Sequence, residues 1–112
     1  MANVNLDIEL RPVLKEFVME MERKLRINDH KTGWHDCAIE WLLNRAYEEL
    51  DEVRDAYKNR GDIYSGDHQK IIMECADVAN FMMMIADNVQ RNQNIAQNAL
   101  GSSDRNLYGE HP

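Results

Sequence analysis

Helix breakers are scarce in this chain, and their positions leave room for little except long helices. The two prolines stand at 12 and 112 and the five glycines at 33, 61, 66, 101 and 109, so the intervening stretches are uninterrupted. Within them apolar residues recur at spacings of three and four, the period of a helix with one greasy face. The spacing predicts three helical blocks and a tail: residues 6 to 27, 37 to 60 and 68 to 99, then 101 to 112.

The first block carries Leu10, Val13, Leu14, Phe17, Val18, Met21 and Leu25, with Pro12 in its first turn, where a missing N–H costs little. Asn28 to His35 breaks the periodicity around Gly33 and reads as a loop. Asp36 is the expected N-cap of the second helix. Its core stripe is expected to be Ile39, Leu43, Ala46, Leu50, Val53 and Tyr57, flanked by Ala38, Leu42, Arg45, Glu49, Glu52 and Ala56. A short loop capped by Asp67 leads to the third helix, with Ile71, Ile72, Cys75, Val78, Ala79, Met82, Ile85, Ala86 and Val89 as its core. A connection this short makes helices two and three antiparallel neighbours. Residues 1 to 100 read as one all-α domain, an antiparallel bundle. Residues 101 to 112 are either a mobile tail or a segment that packs on another subunit.

Thirteen basic against 20 acidic residues give a net charge of -7, which argues against nucleic acid as a partner. The longest apolar run, residues 81 to 86, is far short of the ~20 residues of a membrane span. Two widely separated cysteines and no visible targeting signal suggest reduced thiols in the cytoplasm.

The chemistry is concentrated in Glu48-Glu49-Leu50-Asp51-Glu52 and Glu74-Cys75-Ala76-Asp77. In each, two carboxylates three residues apart project from one face of a helix, at the border of the apolar stripe. Four half-buried anions on adjacent helices repel one another and lose hydration, a cost that a divalent cation reverses. An all-oxygen donor set suits Mg2+, with Mn2+ as the alternative. His30, His35 and Cys37 fit no closed zinc pattern, and a di-iron site needs Glu-x-x-His where this chain has Glu-x-x-Asp.

The two motifs, with Val78-Ala79-Asn80-Phe81 after the second, resemble the Glu-x-x-Glu and Glu-x-x-Asp signature of the MazG-like all-α nucleoside triphosphate pyrophosphohydrolases. Asn28-Asp29-His30-Lys31-Thr32-Gly33-Trp34 and Met82-Met83-Met84-Ile85-Ala86-Asp87 extend the likeness to the compact bacterial and phage members, over about residues 28 to 88. The resemblance implies cleavage of a nucleoside triphosphate between the α and β phosphates, with a purine deoxynucleotide, dATP or dGTP, as substrate. It also implies a bundle completed by assembly into a homodimer or homotetramer. Glu49, Glu52, Glu74 and Asp77 would hold Mg2+, with Glu48 either an extra ligand, a proton acceptor or a solvated acid. Lys31, Arg45, Lys70 and Arg91 are the candidate phosphate donors, Lys31 and Lys70 preferred. Trp34 would stack on the base or cap the core, with His30 beside it and Asn28 and Asn80 reading its edge. Trp41 is expected in the core, and Phe81 and Met84 either pack there or line the pocket. The competing expectation is a non-catalytic helical interaction or nucleotide-sensing protein.

Overall fold

The computed structural model of the chain describes residues 8–29, 33–62 and 68–100. Three α-helices and one short 3₁₀ turn make up the regular structure, with no strand among the described residues. Helix α1 spans Pro12–Ile27, a 3₁₀ turn spans Trp34–Asp36, α2 spans Ile39–Lys58 and α3 spans His68–Leu100. His30, Lys31, Asp67 and the expected tail lie outside the described residues.

Local chemistry sets most boundaries. Arg11 is extended ahead of Pro12, so α1 starts where the ring's fixed φ suits a helix and no N–H is wasted. Lys24 and Arg26 occupy its last turn, where cations favour the negative helix end. Asn28 closes the helix by donating its side-chain amide to the Lys24 carbonyl at 3.2 Å. Helix α2 begins after Ala38 with no side-chain cap; Asp36, the expected N-cap, belongs instead to the 3₁₀ turn. Beyond α2 the backbone at Gly61 has φ 77°, a left-handed conformation that a Cβ would disfavour.

Helix α3 is the spine, and at about 1.5 Å per residue its 33 residues span roughly 50 Å. Asp77 on it lies beside Glu49 of α2, and Asn88 reaches the Trp34 and Cys37 carbonyls, so numbering falls along α2 as it rises along α3. The two helices are therefore antiparallel. Met21 pairs with Asn80 and Lys24 with Asp77, so α1 is also antiparallel to α3.

The core is small and half polar. Its buried hydrophobic residues are Leu42, Ala46, Ala56 and Ala76, and its buried polar residues are Glu49, Glu74, Asn80 and Asn88. Along α2 the inward seam is Leu42, Ala46, Glu49, Val53 and Ala56, with Ala46 and Val53 from the expected core stripe and Leu42, Glu49 and Ala56 from the stripe beside it. Leu43, Leu50 and Tyr57, expected in the core, are exposed, and so are Leu10 just ahead of α1, Val13, Leu14 and Val18 on α1, and Ile72, Met82, Ala86 and Val89 on α3. Trp41, expected to be core, is 52% exposed. The reason is geometric: the apolar residues of these helices wrap a wide arc, and a three-helix protomer covers only part of it.

Candidate metal and ligand site

Glu49 occupies a seam position of α2 that a leucine would ordinarily fill, and the seam aims it at α3. Glu74 and Asp77 meet it from one turn of that helix. The three offer ligand oxygens that all lie within 4.8 Å of one another. Glu49 and Glu74 are buried and Asp77 is half buried. Glu74 is only 8% exposed, and its Oε1 has no hydrogen-bond partner among the described residues. A buried carboxylate oxygen without a donor is costly, and a hard cation removes the cost.

Each of the three has a cation from a different helix. Arg45 on α2 donates to Glu49 Oε2 at 2.9 Å and also pairs with Glu48. Lys70 on α3 reaches Glu74 Oε2 at 2.8 Å. Lys24 on α1 reaches Asp77 Oδ2 at 3.3 Å. Burial pushes the Asp77 carboxyl above its ordinary range, against the pull of Lys24. Burial alone would lower the Arg45 guanidinium, but its two glutamates outweigh that and raise it.

Glu52 stands outside this group of three. Three residues after Glu49, it is rotated by about 60° from the seam and is exposed. It still feels the cluster: the Glu49 charge first, then loss of hydration and the Glu74 charge, raise its carboxyl. Glu48 is exposed and engaged by Arg45.

A cavity of about 590 Å³ adjoins these acids. Its acidic end holds Glu49 and Asp77 with Lys24 and Arg45, and its apolar part is walled by Trp34, Trp41, Phe81 and Met84. Arg45 also stacks over the Phe81 ring at 5.1 Å, linking the two parts. Asn28 and Asn80, expected at the edge of a base, line the cavity. The Asn80 amide donates to the Met21 carbonyl at 3.0 Å, and its Oδ1 is buried without a partner among the described residues. Phe81 and Met84, expected in the core or the pocket, are part of the wall.

Trp34 is held by Asp87 and Asn88, to which the sequence assigned no role. Its indole N–H donates to Asp87 Oδ2 at 2.9 Å, the same oxygen that Arg91 meets at 3.1 Å and His35 at 3.3 Å. The Trp34 and Arg91 hydrogen bonds hold the Asp87 carboxyl below its ordinary range. Asn88 secures the backbone of the same turn, donating to the Trp34 carbonyl at 2.9 Å. Arg91 therefore serves the Trp34 end; fourteen residues beyond Asp77, it sits about 21 Å along the helix from the acids. Lys70, a preferred phosphate donor, pairs with Glu74 but is 64% exposed and does not line the cavity. Lys24 was readable: it follows Phe17 by seven residues and Met21 by three, so a lysine interrupts the inward stripe of α1.

Among the described residues, no helix is long and apolar enough to cross a membrane. No family model matches the chain, and no solved structure matches it. A protein of Archaeoglobus fulgidus described as uncharacterized is 33% identical over 76 residues, an alignment covering 63% of this chain and 75% of the archaeal protein. At that identity and coverage the two chains are related, and this chain belongs to the same family as the uncharacterized archaeal protein.

Proposed function

We propose that the chain is a Mg2+-dependent nucleoside triphosphate pyrophosphohydrolase of the MazG-like type, cleaving a deoxynucleotide between its α and β phosphates. The products are the monophosphate and pyrophosphate, and the proposed substrate is a purine nucleotide, dATP or dGTP. The observation that carries this reading is the cavity, which joins a carboxylate cluster and two cations to an aromatic wall. A ligand filling it needs a charged, metal-binding end and a flat apolar end, and a nucleotide has both. The all-oxygen donor set and the orphaned Glu74 Oε1 fit Mg2+, and Mn2+ suits the same ligands.

Glu49, Glu74 and Asp77 would hold the ion, with Glu52 one turn away as the fourth carboxylate. A bound Mg2+ supplies Lewis acidity toward phosphoryl oxygens and toward an attacking water. The chain's own residues do the rest. Lys24 and Arg45 present positive charge at the acidic end, Trp34 and Phe81 offer ring faces to a base, and Asn80 Oδ1 offers an acceptor to its edge. Glu48, exposed and paired with Arg45 beside the cluster, would be the proton acceptor.

The exposed seam of Leu43, Leu50 and Tyr57 along α2 supports assembly into a homodimer or homotetramer, since a protomer alone leaves it in water. The free thiols of Cys37 and Cys75 suit a cytoplasmic setting.

The test is pyrophosphate release from a panel of nucleoside triphosphates with Mg2+. Turnover of a purine deoxynucleotide that stops with EDTA is the expected result. A folded protein that binds nucleotide but releases no pyrophosphate from any of them points to the sensing or interaction protein.

A further inference from the structure

We infer that Lys24 is a triphosphate-binding residue, parked on Asp77 until a divalent cation replaces it there. The inference rests on the nucleotide reading above and adds to it a residue and an order of events. Its support is a comparison of three ion pairs around one cluster.

Among the described residues, five carboxylates, Glu48, Glu49, Glu52, Glu74 and Asp77, adjoin three cations, Lys24, Arg45 and Lys70. Acids outnumber bases in this group, a balance that one divalent cation would redress. Once such an ion sits among Glu49, Glu74 and Asp77, the attraction that holds each basic side chain on its carboxylate is shared with the ion and weakens. A triphosphate then arrives as a polyanion, and the cations that can meet it are those that line the cavity. Lys70 does not line it; Lys24 and Arg45 do.

Arg45 is committed on three sides, to Glu48, to Glu49 and to the face of Phe81. Lys24 makes one ion pair among the described residues, and at 3.3 Å it is the longest of the three that reach the buried cluster. Its ammonium is a compact charge on a flexible four-carbon stem, suited to moving from one oxygen to another over a few ångströms. The side chain is only 20% exposed, so it is held over the cavity and not spread into solvent. Its release uncovers Asp77 for the ion and delivers a charge to phosphate in one movement.

The experiment uses the intact protein and two titrations by calorimetry: MgCl2 alone, then α,β-imido-dATP at saturating MgCl2. In Lys24→Met the analogue is expected to bind at least roughly tenfold more weakly, the worth of one charge-assisted hydrogen bond. Mg2+ alone should bind as well as in the parent or better, since its competitor for Asp77 is gone. Lys24→Gln should behave like Lys24→Met while keeping a donor to Asp77, and Lys24→Arg should restore analogue binding. Helicity by circular dichroism accompanies each variant, and Lys24→Gln decides if Lys24→Met is unfolded. Parallel weakening of Mg2+ and analogue in the folded variants makes Lys24 a strut between α1 and α3 and overturns the inference. Unchanged analogue binding overturns it too. If the parent protein binds Mg2+ but neither binds nor cleaves any nucleotide, the nucleotide reading itself fails, and the role of Lys24 with it.

Discussion

Replacing Glu74 by glutamine keeps the side chain's shape and removes one charge from the most crowded point in the molecule. Glu49 and Asp77 each bring an oxygen within 4.8 Å, so at an effective dielectric of 20 each repels Glu74 by about 3.5 kcal/mol or more. Attraction to Lys70 at 2.8 Å is about 6 kcal/mol on that scale. Lys70 is largely in solvent, which screens that figure well below its face value. Two repulsions plus the lost hydration of a buried anion therefore outweigh one screened attraction. Glu74→Gln should stabilise the protein in EDTA by about 1–3 kcal/mol, a fraction of the two repulsions because Arg45 and Lys24 offset part of the Glu49 and Asp77 charge. For a domain of this size that raises the melting temperature by roughly 5–15 °C. Mg2+ should reverse the order. At a hundred times its Kd the ion stabilises the parent by about 2.7 kcal/mol, while the variant, short of one ligand, gains little. Thermal unfolding followed by circular dichroism, in EDTA and across a MgCl2 titration, gives both numbers. A variant that melts below the parent in EDTA, or gains as much from Mg2+, would refute the reasoning.

Three other outcomes are expected. Asp77 and Glu52 have carboxyls raised in the folded state, so the stability they contribute is full below the ordinary carboxylate range of about 4 and is lost as pH rises through their raised values. Melting temperature in EDTA should therefore rise as pH is lowered from 7 toward 5, and saturating Mg2+ should flatten that slope. Asp87→Ala, which removes the acceptor, should free the indole of Trp34 and shift tryptophan emission to longer wavelength, with Lys70→Gln as a control that leaves emission unchanged. Leu50→Glu, on the uncovered seam of α2, should lower the mass measured by sedimentation without loss of helicity; an unchanged mass would remove that seam from any subunit contact.

Helix number, order and approximate limits were legible because periodicity and breakers act locally. The pairing of Glu49 with Glu74 and Asp77 was legible too, since a short connection forces antiparallel neighbours. Which seam of α2 turns inward was not. The inward face takes Ala46 and Val53 from one stripe and Leu42 and Ala56 from the other, and that rotation depends on how many helices share the bundle, which periodicity does not encode. Asp87 was quoted in a motif without a role, because its partner Trp34 is 53 positions away and only the fold joins them. Lys24 illustrates a different failure: a cation on an amphipathic helix reads as solvated unless its register against Phe17 and Met21 is counted. Glu52, carried over by motif spacing, lies about 60° off the seam, yet its raised carboxyl registers the charges of Glu49 and Glu74.

Glu49 stands in a row otherwise occupied by Leu42, Ala46, Val53 and Ala56. A leucine there would extend the row without a break, so selection on thermostability alone should enrich Glu49→Leu from a mutant library. Selection that also demands ligand binding should purge it. The gap between the two enrichments gauges how much folding stability this lineage forgoes to keep one carboxylate in its core.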